Sequence, residues 1–357
     1  MLNKIKSKEY NNLVTTISEI VISTQNNIAK NINQSMIITY WNIGKYIVEF
    51  EQKGNERAEY GTELLKTIAI DLTSNIGKGF SWRNLYNMKR FYLVFPILQI
   101  ASAKSDIKKL QTSPAKLETD IMMKSINSLS WSHFVRLLSV KDKDERDFYI
   151  IEIAKNKWSE RELNRQINSS LFERLLLSRD KDKVQELSKK GQLIETEKDI
   201  LKDPLVLEFL NIKHNSSYSE NDLETAIIEN LGSFLLELGR GFSFVARQQR
   251  ISSGTEHFYI DLVFYNRLLR SFVIIDLKIG KLKHQDIGQM QMYVNYYDRE
   301  IKTEDEHPTI GIILCKENDN FVVEYTLPEN NKQIFANEYK LYLPDKKELK
   351  ELLKQYI

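Results

Sequence analysis

The stretch "HFYIDLVFYNRLLRSFVIIDLKIGK", His257–Lys281, holds two apolar runs about a polar turn. The apolar runs Phe258–Tyr265 and Phe272–Lys278, joined by that turn, predict two antiparallel strands. A turn centred on Leu268 and Leu269 sets Asp261 directly opposite Asp276. Opposed like charges destabilise a sheet, and a buried carboxylate costs several kcal/mol unless something compensates it. Lys278, two residues past Asp276, points to the same face. Two carboxylates and an ammonium therefore converge at one end of a sheet. The most economical compensation is a divalent cation with hard oxygen ligands and retained waters, Mg²⁺ or Mn²⁺. Such an ion activates water and neutralises a phosphate, and Lys278 would position the nucleophile or stabilise the developing charge.

Outward from the hairpin, a helix is predicted over Asp222–Leu238, stopped by Gly239 and Gly241. In a helix–strand–strand–strand order, its N-terminus lies at the end of the sheet that carries Asp261 and Asp276. Glu224 stands at that N-terminus, in a row with Ile228, Leu231 and Leu235 beside the apolar face. Glu237 is about 20 Å further along the axis, so Glu224 is the expected third metal carboxylate. The first strand, Phe242–Ile251, carries Arg247, Gln248 and Gln249 beside the site, with Arg247 and Gln248 as candidate phosphate contacts. After the hairpin comes a helix over about Asp286–Tyr297. There Gln289 and Tyr293 share one face, while Ile287, Met290, Val294 and Tyr297 take another. "TIGIILC" and "FVVEYTL" read as strands, and a terminal helix is expected near Lys346–Gln355. This order specifies an α/β domain with a mixed sheet.

Asp261, "DLK" at Asp276–Lys278, the upstream Glu224 and "QMQMY" at Gln289–Tyr293 resemble the PD-(D/E)xK nuclease superfamily, including its Q-x-x-x-Y variant. More narrowly, the chain is similar to the bacterial YhcG-like family, in which a helical region precedes a PD-(D/E)xK nuclease domain. "YWNIGKYI", "YGTELLKTIAIDLT", "GKGFSWRNLYNMKRFY", "WSERELNRQI" and "FLLELGRGFSFVARQQRI" extend the likeness over most of the chain. The resemblance implies metal-dependent cleavage of DNA phosphodiester bonds, with Asp261, Asp276 and Lys278 at the core of the site and Glu224, Gln289 and Tyr293 beside them. Ile260 stands where the superfamily name has proline. Proline is not a ligand, so the departure leaves the chemistry open.

The N-terminal half reads as helical from about Tyr10 to Phe95, with Leu64, Leu65, Ile68 and Leu72 at helical spacing. Ile100–Asp120 reads as a loop, and a second helical group runs from about Ser130 to Leu187, with Ser159 as a cap. The expected organisation is a helical region over 1–190, a linker over 191–220 and the nuclease-like domain over 221–357, an α+β chain overall. In "GFSWRNLYNMKRFYLVF", Ser81 is a candidate N-cap. Leu85, Met88, Tyr92 and Phe95 line one face of the following helix; Arg83, Asn87 and Arg90 line another, with Lys89 nearby. That basic face suits phosphate and base edges, a protein partner, or plain solvated surface.

Bulk composition narrows the rest. Lys+Arg (51) nearly balances Asp+Glu (49), so basic surface must come from local clustering. One cysteine, Cys315, excludes an internal disulfide framework and suits a reducing cytosol; it is expected to be a buried small hydrophobe. The five histidines lack metal-ligand spacing. The four tryptophans are expected in the core. No signal peptide or apolar run long enough to span a membrane is legible, so a cytoplasmic, non-membrane protein is expected. The leading expectation is a Mg²⁺- or Mn²⁺-dependent endodeoxyribonuclease whose helical region binds DNA or a partner. The alternative is a catalytically silent nucleic-acid-binding or assembly module, and RNA is not separable from DNA as a substrate. A homodimer is expected if both strands are cut together.

Overall fold

The structure is a computed structural model that describes residues 8–53, 60–96, 122, 124–178, 184–212, 217–253 and 255–356. The chain forms two compact units, Met1–Leu163 and Asn164–Ile357. The loop expected over 100–120 lies outside the described residues.

The first unit is helical where described. Its elements are α1 (Lys8–Lys53), α2 (Tyr60–Asn75), α3 (Trp82–Val94), α4 (Trp131–Leu137) and α5 (Lys143–Asn156), with α6 (Glu160–Asn168) crossing into the second unit. α3 starts where the sequence places it: Ser81 Oγ accepts from the Asn84 backbone N–H at 3.3 Å. Leu85, Met88 and Phe91 are fully buried; Leu85 and Met88 join Ile47 and Leu65 of α1 and α2, while Phe91 packs against Trp131 and Phe134. A Cβ at Gly44 would fall 2.0 Å from the Met88 carbonyl oxygen, so only glycine lets α1 lie this close to α3. Trp41 is buried, but Trp82 is 41% exposed, which corrects the expectation of four core tryptophans. Trp82 is the first residue of α3, at the exposed end of the helix.

The second unit continues with α7 (Leu171–Leu177), α8 (Val184–Lys190), β1 (Leu205–Val206), α9 (Glu220–Glu229), α10 (Leu231–Leu238), β2 (Phe242–Ser253), β3 (Glu256–Asn266), β4 (Ser271–Lys281), α11 (His284–Tyr296), β5 (Ile310–Glu317), α12 (Asn320–Thr326), β6 (Ile334–Lys340) and α13 (Lys346–Tyr356). The six strands form one mixed sheet in the order β1-β6-β5-β4-β3-β2. β2, β3 and β4 are antiparallel, whereas β4, β5, β6 and β1 run parallel. Leu223, Ile227 and Phe234 of α9 and α10 pack on one face with Leu262, Phe264, Val273, Ile275 and Leu277. Ile287, Met290, Tyr293 and Val294 of α11 pack on the other with Ile260, Val263, Ile274 and Ile313. Gly311 admits α11 to the second face: a Cβ there would lie 2.6 Å from Met290 Sδ.

Four local readings differ from the expectation. "FVVEYTL" is a helix, α12, because Asp319 accepts from the Phe321 and Val322 N–H groups and caps it; Val322 and Val323 turn inward while Phe321 and Tyr325 stay exposed. The helix expected over Asp222–Leu238 is two, broken at Asn230, whose Nδ2 donates to the Ala226 carbonyl at 3.0 Å. β6 escaped the pattern because buried Asn337 interrupts its apolar alternation. Residues 191–220, expected as a linker, supply β1 and bury Leu205, Leu207 and Leu210 beneath the α9 face.

Candidate active site

The hairpin register is the one the turn dictates. Leu262 pairs with Ile275, Val263 with Ile274 and Phe264 with Val273. Asn266 Oδ1 accepts from the Leu268 and Leu269 N–H groups at 3.0 and 3.2 Å, and Arg270, at φ 51°, closes the turn. The next pair in that register is Asp261 with Asp276, and there the backbone ladder stops. Instead, Asp261 Oδ2 accepts from the Leu277 backbone N–H at 2.7 Å. The side chain takes over an acceptor role that a strand carbonyl would normally fill.

The pleat breaks at the same point. Ile260 and Val263 pack into the same layer, although an unbroken strand sets residues three apart on opposite faces. Across β2, Gln248 adopts a left-handed φ of 47° between the regular pairs Arg247–Leu262 and Gln249–Ile260. Such a conformation is uncommon for a residue with a Cβ and persists where the surroundings hold it. Here the Gln248 amide donates to Asp261 Oδ1 at 3.1 Å and to Glu224 Oε2. The distortion thus brings the α9 carboxylate into line with the hairpin carboxylates. Arg247 Nε lies 3.0 Å from the other oxygen of Glu224.

Asp276 is 2% exposed. Lys278 Nζ lies 2.7 Å from Asp276 Oδ2 and 3.9 Å from Glu220 Oε2 in the first turn of α9. Burial pushes the Asp276 carboxyl up to about 7; Lys278 pulls it down, and Asp261 and Glu220 add to the rise. Burial opposes the charge of Lys278, yet Asp276, Glu220 and Asp261 together raise it above the ordinary lysine value. On α11, Tyr293 is fully buried. Its hydroxyl donates to the Tyr259 carbonyl at 2.9 Å and accepts from Gln289 Nε2 at 2.7 Å. Burial raises the Tyr293 phenol first, and the Asp276 charge raises it further. Tyr293 therefore sits in the core layer with Ile287 and Met290, a correction to the separate face expected for it.

Sequence reasoning brought Asp261, Asp276, Lys278 and Glu224 to one end of the sheet, and the structure links them. It missed Glu220 beside Lys278, although an acidic residue in the first turn of the same helix was a usable signal. It also read Gln248 as a phosphate contact, where the structure uses it between two carboxylates. In the first unit, Lys89 Nζ pairs with Glu51 Oε2 at 2.6 Å, and Arg90 Nη2 donates to the Leu138 carbonyl at 2.5 Å. Arg83 is exposed, and Arg83 and Asn87 line an open cleft with Asn84, Trp131 and Arg136.

The donors at the hairpin site are hard oxygens. Asp276 Oδ2 and Glu224 Oε1 are buried and accept no aligned hydrogen bond, each facing only its neighbouring cation. Among the described residues, no three His, Cys, Asp or Glu side chains stand together as a ready ligand cluster. Hard oxygen donors of this kind suit a divalent cation that takes one or two protein carboxylates and retains waters. The residues fit a divalent cation held by Asp261 and Asp276.

Over residues 198–354 the sequence matches the YhcG PDDEXK nuclease domain, and over 16–174 the DUF1016 N-terminal domain. It is 40% identical over 319 residues to the Escherichia coli (strain K12) protein named "Putative nuclease YhcG", covering 87% of this chain and 84% of that one. The chain belongs to the YhcG family. Two solved structures also align with part of it. A repair endonuclease from Pyrococcus abyssi matches 37% of this chain and 50% of its own, at 19% identity and a TM-score of 0.25. EndoMS in its apo form matches 37% and 49%, at 16% identity and a TM-score of 0.24. The YhcG relationship thus covers both the helical region and the domain that carries the opened hairpin. Among the described residues, no helix is long and apolar enough to cross a membrane.

Proposed function

We propose that the chain is a cytoplasmic, Mg²⁺- or Mn²⁺-dependent nuclease that hydrolyses DNA phosphodiester bonds at the opened end of the β3–β4 hairpin. The observation that carries this reading is the break in the sheet at Asp261. It leaves a 2% exposed aspartate beside one lysine, with a second carboxylate opposite and a third tied in through Gln248. A structural role alone gives no reason to bury a carboxylate whose ionisation the site opposes.

Asp261 and Asp276 would hold the cation, with Glu224 in support. When bound, the ion supplies Lewis acidity toward the scissile phosphate and makes water more acidic. The Leu277 N–H fixes Asp261, so its remaining oxygen lone pairs point in a set direction. Lys278 keeps its ammonium close to Asp276, where it can orient the attacking water or stabilise charge developing on the phosphate. Gln289 anchors Tyr293, and Tyr293 anchors the Tyr259 backbone, which holds β3 in place two residues before Asp261. Residues 1–190 would recognise DNA or a protein partner, with exposed Arg83 and half-buried Asn87 as the DNA-facing candidates. Arg247 flanks the site from β2.

A second reading has its own support: hydrogen bonds from Gln248 and the Lys278 ion pair already give the site's carboxylates partners within the chain, as they would in a silent binding module. Cleavage of supercoiled, linear, single-stranded and branched DNA with Mg²⁺ or Mn²⁺ separates the two. The nuclease reading predicts metal-dependent cuts that disappear in Asp276→Ala and in Lys278→Ala. DNA binding without cleavage under any divalent ion would favour the silent module.

A further inference from the structure

At the carboxyl ends of β5 and β6, a pocket of about 230 Å³ opens among Tyr218, Lys316, Glu317, Tyr339, Lys340 and Tyr342. None of these residues has a part in the hydrolysis described above. The chain nonetheless sets them close to it. Tyr218 immediately precedes Ser219, the cap of α9, and Glu220 in the next position reaches to 3.9 Å from Lys278 Nζ. Lys316 directly follows Cys315, which is the register partner of Lys278. Neighbouring strands lie about 4.8 Å apart, so the pocket is on the order of 10 Å from the hairpin site.

Its chemistry is specific. Tyr339 is 1% exposed, and its hydroxyl shares a 2.9 Å hydrogen bond with Tyr218. That bond uses one of the two phenolic protons, and the second has no partner among the described contacts, so it is available to a ligand. Tyr342, 44% exposed, places an aromatic ring at the rim. Lys316 is exposed and has no ion pair among the described residues, whereas Lys340 is 2.9 Å from Glu338. The exposed Tyr342 ring, a hydrogen-bond donor and a cation together match one base and its phosphate. The volume lies below the ~300–1,000 Å³ of sites for larger ligands, which suits a single nucleotide unit. A paired base cannot enter, because its faces are covered in the stack.

We infer that this pocket receives one unpaired nucleotide of the DNA substrate, with the base face on Tyr342, the base edge at the Tyr218–Tyr339 hydroxyl pair and the phosphate on Lys316. The site would then favour DNA carrying a bulged, flipped or flapped nucleotide next to the scissile bond. This inference rests on the nuclease reading for its substrate, but it is tested separately from cleavage.

The test uses the full chain with Ca²⁺ in place of Mg²⁺ to hold complexes uncleaved. The ligands are a duplex with one unpaired 2-aminopurine and its fully paired counterpart. Wild type should bind the unpaired ligand about tenfold more tightly and quench its fluorescence on stacking. The exposed-residue double variant Lys316→Ala/Tyr342→Ala should bring the two affinities within about twofold while cleaving paired duplex with Mg²⁺ as wild type does. Tyr218→Phe keeps the ring and should lower the preference by a smaller factor, about threefold. Equal affinities in wild type, or a preference untouched by the double variant, would overturn the pocket assignment and leave the nuclease reading intact. Preferential binding with quenching, lost in the double variant, would support the pocket even if no DNA were cut, and only the nuclease reading would fall.

Discussion

Two buried carboxylates in the second unit make opposite use of burial. Glu237 on α10 is fully buried and meets Arg174 Nη1 at 2.5 Å, Arg165 Nη2 at 3.1 Å and the Val206 backbone N–H at 3.0 Å. Its backbone carbonyl also accepts from Lys202. Burial alone would raise this carboxyl, but Arg174, Lys202 and Arg165 outweigh it and bring it down to about 2. Asp276 is nearly as buried, has Lys278 as its close cation and is driven up to about 7. Glu237 is a finished structural tie. Asp276 is left short of positive charge, as the proposed cation site requires.

The largest effect should come from removing each acid. Glu237→Ala strands Arg174 and Arg165 in a buried environment and should destabilise the chain by about 3–5 kcal/mol in urea unfolding. Asp276→Asn should leave stability unchanged or raise it, while cleavage falls on the order of 10²–10³-fold. If both substitutions destabilise equally, the contrast fails.

pH should split the pair next. The Asp276 carboxyl is raised from 3.8 to about 7, so between those values the folded state binds more protons than the unfolded state. Stability must then fall as pH rises through that window, by up to a few kcal/mol, and the fall should vanish in Asp276→Asn. Glu237 is lowered from 4.5 to about 2, so its contribution is present above 4.5 and lost as pH drops toward 2. Unfolding free energies of wild type and Asp276→Asn from pH 4 to 8 would show the first slope directly.

How much of this could be read from the chain depends on period. The hairpin was legible because two apolar runs of strand length, Phe258–Tyr265 and Phe272–Lys278, flank a short turn whose centre fixes the register, and Asn266 completes the turn chemistry. Asp261, Asp276 and Lys278 stood out because charge in such strands has no bland place to go. Gln248 did not, since a polar residue on a strand usually means solvent, and its left-handed backbone leaves no trace in side-chain pattern. Tyr293 was misread because its ring is core while its hydroxyl is a hydrogen-bonding group, so one residue belongs to both faces. β1, at two residues, is too short to carry any period.

Smaller effects should sharpen the comparison. Gln248→Ala leaves Glu224 and Asp261 without their shared donor and should cost about 1–2 kcal/mol of stability, and this loss should shrink when Mg²⁺ is present. The matching measurement is thermal unfolding with and without the ion. Smallest of all, Phe321→Ala on the exposed side of α12 should change stability by no more than about 0.5 kcal/mol, since that ring is 68% exposed.

Mn²⁺ binding by titration calorimetry at pH 8, comparing wild type with Asp276→Asn, tests the central claim most directly. Wild type should bind the ion and gain thermal stability from it, whereas Asp276→Asn, folded at least as stably, should do neither. Equal binding and equal stabilisation in both proteins would show that Asp276 is not buried for a cation.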